Sequence, residues 1–73
     1  MDRKEDAMRQ LGRRITHLRE EKRMTIPELA IRAGLDPAEL GSIEAGTIDV
    51  RLTILFALAR ALEISPDRLL SFI

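Results

Sequence analysis

An all-α fold, a compact bundle of five short helices, is what this sequence predicts, and three observations carry the prediction. Apolar residues recur at Leu11, Ile15 and Leu18, spaced i, i+4 and i+7, the signature of one helical stripe. Three helix-opening signals follow downstream, Thr25 with Glu28, Asp36 with Pro37, and Ser65 with Pro66. Finally, 73 residues allow only one domain with a modest core, which neat helix packing or self-association must help to stabilise.

Residues 1–7 carry charges without an apolar rhythm and are read as a loose charged arm or a frayed first turn, leaving 8–73 as the single domain. The first helix is then expected from about Met8 to Lys22, ending before Met24. His17 lies beside its apolar stripe. With no cysteine and no second histidine in the chain, a surface histidine is the expected role and a metal site is not.

The stretch from Thr25 to Glu44 organises the chain. Thr25 and Glu28 have capping-box spacing, in which the hydroxyl accepts one backbone N–H and the carboxylate another. Leu29, Ala30 and Ala33 then share a face, and Gly34 supplies the left-handed residue that closes a helix. Asp36 as N-cap, Pro37 at the first helical position and Glu39 three residues after the cap reopen the chain as a third helix carrying Leu40 and Ile43 inward. Two short helices joined by a tight turn make a helix-turn-helix over about residues 25–45.

Gly46 ends the third helix, residues 47–51 connect, and Asp49 or a neighbour is expected to cap the fourth. The segment from Leu52 to Leu62 is apolar almost all round, which calls for burial on two sides. Leu52, Leu55, Ala59 and Leu62 make the expected core face, with Leu58 beside it. Ser65-Pro66-Asp67 opens a last helix carrying Leu69, Leu70, Phe72 and Ile73.

Charge and composition exclude several functions. No cysteine means neither a disulfide framework nor a thiolate metal site. The charged start lacks the apolar core of a signal peptide, and the longest apolar run is too short for a bilayer and contains Arg60, so a soluble, cytoplasmic protein is expected. A single histidine, no glycine-rich phosphate loop and carboxylates accounted for by caps and pairs argue against an enzyme; no cofactor, metal or small-molecule substrate is expected. Net charge is zero but unevenly spread: residues 1–35 hold nine Lys/Arg against six Asp/Glu, and 36–73 hold three against six. Arg3, Lys4, Arg9, Arg13, Arg14, Lys22, Arg23 and Arg32 form either a phosphate-facing patch or solvated helix faces.

The order Leu18-Arg19, Thr25-x-x-Glu28-Leu29-Ala30, Ala33-Gly34-Leu35 and Leu40-x-x-Ile43-Glu44-x-Gly46 resembles the Cro/repressor-type (XRE-like, lambda-repressor-like) DNA-binding domains, over about residues 11 to 70. The resemblance implies an internal salt bridge between Arg19 and Glu44, each adjacent to a core position and of a kind rarely buried unpaired. It implies a nucleoid-associated transcriptional regulator binding double-stranded DNA, with the third helix in the major groove and the amide-rich start of the second at the backbone. Carried onto this chain, the DNA-facing positions are Thr25, Ile26, Arg32, Pro37, Ala38, Glu39, Ser42, Thr47 and Arg51.

The chain departs from that pattern where bases are read. Bidentate readout needs Arg, Lys, Asn or Gln, and the third helix opens instead with Pro37, Ala38 and the acidic Glu39. Two accounts follow. In one the protein binds DNA, with Ala38 against thymine methyls and shape readout adding modest specificity. In the other the fold is kept but acts through protein contacts, with Ile26, Pro37 and Ala38 as an apolar patch. Under either, the apolar fourth and last helices suggest a homodimer meeting through Phe56, Leu69, Phe72 and Ile73, which would set two recognition helices one DNA turn apart.

Overall fold

The fold follows from where the chain can and cannot continue a helix. In the computed structural model, which describes residues 3–72, five helices run in order. They are α1 (Arg3–Glu21), α2 (Ile26–Ala33), α3 (Pro37–Ala45), α4 (Leu52–Ala61) and α5 (Pro66–Leu69). Thr25, Asp36 and Ser65 stand at N-caps with extended backbone, and a proline falls in the first turn of α2, α3 and α5. Gly34 and Gly46 close α2 and α3 in the left-handed conformation, φ 72° and 74°, where a side chain would strain the backbone.

The core is one cluster. Leu11, Ile15 and Leu18 of α1, Met24 from the connection after it, Leu29 and Ala30 of α2, and Leu40 and Ile43 of α3 meet Leu58, Ala59, Ala61 and Leu62 from the end of α4 and Leu69 of α5. Helix α1 packs on α3, α2 packs on both α3 and α4, and α4 packs on α5. The helix-turn-helix is thus clamped from two sides, and the outer face of α3 is left to solvent.

Four expectations need correcting. The first helix begins at Arg3, five residues earlier than the apolar rhythm suggests. Glu5 and Asp6 in its first turn complement the helix dipole, and Asp6 accepts a hydrogen bond from Gln10 at 2.8 Å, so local electrostatics supply what periodicity lacks. Asp49 does not cap α4. Arg51 takes the N-cap position without a side-chain hydrogen bond, and the Asp49 carboxylate lies 3.4 Å from Lys4 Nζ. Leu52 is 60% exposed rather than inward, because it starts α4 beyond the reach of the core, which instead takes Leu58, Ala61 and Leu62 near the helix end. Leu69 presents no surface to a second copy, being wholly enclosed by its own chain, and Phe72 is half-buried against the same core. The placement of Ile73 in a dimer contact lies outside the described residues.

Gly12 permits the tightest approach of any glycine in the chain. A Cβ there would collide with the carbonyl oxygens of Glu44 and, at 2.7 Å, Ile43, so the α1 backbone rests directly on the last turn of α3. Those atoms are backbone and cannot swing aside. Gly12→Ala is therefore expected to destabilise by about 2–3 kcal/mol despite its gain in helix propensity. Chemical denaturation of the two proteins checks this, and a stabilised variant would mean that α1 and α3 do not touch there.

Candidate nucleic-acid interface

The outward face of α3 is a product of its register. Leu40 and Ile43 point into the core, which turns Ala38 and Ala45 fully outward and leaves Glu39, Gly41 and Ser42 half-exposed. Pro37 is exposed in the first turn. Pro37, Ala38, Glu39 and Ser42 therefore share one protruding helix, as the sequence implies. Thr47 joins them, since it is exposed and its hydroxyl donates to the Ser42 carbonyl at 3.2 Å. Arg32 is exposed in the last turn of α2 and Arg51 at the start of α4.

Thr25 and Ile26 are less available. The Thr25 hydroxyl accepts the Glu28 N–H at 3.2 Å while its own N–H donates to the Glu28 carboxylate at 2.8 Å, completing the capping box. Those bonds hold the exposed Glu28 carboxyl below its ordinary pKa, with the backbone N–H of Thr25 the main cause. Ile26 is half-buried and packs on the core, so it offers little surface to any partner.

A largely buried ion pair fixes α3 to α1. Arg19 Nε and Nη2 donate to the two Glu44 oxygens at 2.8 and 3.0 Å, and Nη1 donates to the Met24 carbonyl at 2.8 Å. The side chains are 13% and 8% exposed. Hydrogen bonding to Glu44 raises the Arg19 pKa above its ordinary value, outweighing the opposing effect of burial. Thr16, which the sequence did not single out, completes the arrangement: its hydroxyl lies 2.8 Å from the Gly12 carbonyl and 2.9 Å from Glu44 Oε1. A threonine one turn before Arg19 on the same face is the signal that points to it.

Part of the basic patch is otherwise engaged. Lys4 faces Asp49, Arg9 lies 4.0 Å from Asp6, and Arg14 Nη2 donates to the Arg68 carbonyl at 2.8 Å. His17 is exposed and 3.3 Å from the Glu21 carboxylate. Among the described residues, no group of three or more side chains is placed to hold a metal ion, and no helix is long and apolar enough to cross a membrane.

A capped helix, a glycine turn and a second helix braced from behind while its front stays bare define a helix-turn-helix regulator. The chain belongs to the helix-turn-helix domain family, whose model matches residues 10–72. It is also similar to a solved structure, the restriction-modification controller protein C.AhdI from Aeromonas hydrophila. The two are 36% identical with a TM-score of 0.83 over 88% of this chain and 96% of that one. No curated protein sequence gives a significant match. Family and fold are those of a DNA-binding regulator of the Cro/repressor type, and not those of an enzyme.

Removing the guanidinium would leave Glu44 buried with only the Thr16 hydroxyl. Arg19→Ala is expected to cost about 3 kcal/mol, and replacing both partners together by apolar residues should cost less than that single change. Thermal melts of the two variants decide the point; an unchanged melting temperature for Arg19→Ala would remove the ion pair from the account.

Proposed function

We propose that this protein regulates transcription by binding double-stranded DNA as a homodimer, with α3 of each copy in the major groove. The observation that carries the reading is the bare ridge of α3, with Ala38 and Ser42 one turn apart on it, backed by a fully bonded ion pair. A helix of this kind fits the major groove, and its N-terminal residues meet base edges. Arg32, Thr47 and Arg51 supply backbone contacts around it. The likeness to a restriction-modification controller protein supports a controller role, and a role on DNA together with the lack, among the described residues, of a helix able to cross a membrane fits the cytoplasm.

Dimerisation is supported by α4. Leu52 and Phe56, 60% and 45% exposed, stand one turn apart on a helix whose other end is buried. Small chains seldom leave such a pair in water, and a two-fold contact along α4 would cover it. Phe56 keeps its place in this interface. Phe72 can contribute only its half-exposed edge, and Leu69 has none to give.

The reading through protein contacts alone is weaker, because Ile26 is committed to the core and only Pro37 and Ala38 remain of its apolar patch.

Two measurements test the proposal. Binding to the upstream DNA of the protein's own gene, followed by gel shift, should weaken steeply between about 50 and 200 mM salt, and Arg51→Glu should lower both affinity and salt slope, the latter by about one or more. Binding that ignores salt, or that Arg51→Glu leaves intact, would move the interface elsewhere. Light scattering should give a dimer for the native chain and a monomer for Phe56→Glu, whereas a native monomer at every concentration would remove the two-fold arrangement.

A further inference from the structure

Glu39 occupies a position that the rest of the molecule does not explain. It is the third residue of α3, as Glu28 is of α2, and in that place a glutamate ordinarily turns back to bond the N-cap amide. Glu28 does so. Glu39 does not, since Asp36 caps α3 alone, accepting the Ala38 N–H at 2.7 Å, and among the described residues no hydrogen bond or ion pair engages the Glu39 side chain. The only other acid on α3, Glu44, is consumed by Arg19. One unpaired carboxylate therefore stands half-exposed in the first turn of the helix that would enter the groove.

Against phosphates such a charge is a liability, because it repels the backbone that supplies most of the affinity. Against base edges it has one good partner. An ionised carboxylate can only accept, and among the four bases cytosine alone offers an amino group, N4, with no acceptor on its own major-groove edge. Adenine places N7 next to its amino group, guanine presents O6 and N7, and thymine presents O4, so each turns an acceptor toward the carboxylate. The neighbours of Glu39 do not compete: Pro37 and Ala38 carry no polar side-chain atom, and α3 holds no Lys, Arg, Asn or Gln.

We propose that Glu39 is a specificity-determining residue that selects cytosine in the major groove through its N4 amino group. This rests on the DNA-binding reading above. The probe is then an acceptor set beside the Ala38 methyl, and bidentate recognition of guanine or adenine from α3 is absent. The acid that lowers affinity for DNA in general becomes the source of discrimination, since a duplex without cytosine at that position leaves the carboxylate desolvated and facing acceptors.

The test is selection from a randomised duplex pool with the native protein, Glu39→Ala and Glu39→Gln. The native protein should enrich one position in each half-site for cytosine, by about tenfold over other bases. Glu39→Ala should lose the preference at that position alone, with the other enriched positions of the half-site kept. Glu39→Gln, which can both donate and accept, should move the preference to adenine. Cytosine retained at full enrichment by Glu39→Ala would overturn the proposal while leaving the DNA-binding reading intact. A pool from which no variant enriches any sequence would overturn both. Matching melting temperatures among the three proteins ensure that a lost preference is not lost folding.

Discussion

The guanidinium of Arg19 reaches from the end of α1 to the end of α3, and it can do so only because every polar atom it meets has something to bond. Two of its nitrogens satisfy Glu44, the third takes the Met24 carbonyl, and Thr16 sits on the near oxygen of the carboxylate. Buried charges are costly unless paired and hydrogen-bonded this completely, and even then the net gain in stability over an apolar substitute is small. What the pair supplies is direction. A guanidinium fork meets a carboxylate in one geometry, and that geometry sets the rotation of α3 about its own axis. Gly12, pressed on the same turn of α3, sets the distance.

From that constraint the rest of the molecule follows. With Ile43 and Leu40 drawn inward next to the ion pair, Ala38, Ser42 and Ala45 have nowhere to go but outward. The turn before them is equally fixed, by the closed capping box at Thr25 and by Gly34. The recognition surface is thus rigid without being polar, and it lies on a chain of zero net charge. Discrimination on such a surface has to come from a few well-placed atoms rather than from a strongly basic field.

Much of this was legible in the residues because caps are local. Thr25, Glu28, Gly34, Asp36, Pro37 and Gly46 mark the ends of α2 and α3, and the motif pair Arg19 and Glu44 points to an ion pair that the structure contains. Failures came where the outcome depended on distance across the fold. The α1 start was missed because its first turn is held by charge pairs rather than apolar spacing. Leu52 and Leu69 look alike in sequence, yet one faces water and the other is sealed, since only the reach of the core past the end of α4 separates them. Gly12 gives no local signal at all, and its role is visible only once α3 is laid against it. Which surface residues touch a partner depends on spacing that no local pattern encodes.

The central claim is that the front of α3 is the contact surface and its back the brace. Backbone amide NMR of the labelled protein, titrated with duplex DNA, tests it most directly. The account predicts the largest shifts at Ala38, Ser42, Thr47 and Arg51, with Arg13 and His17 on the outer side of α1 unmoved. Shifts gathered on α1 and α5 with α3 silent would contradict it.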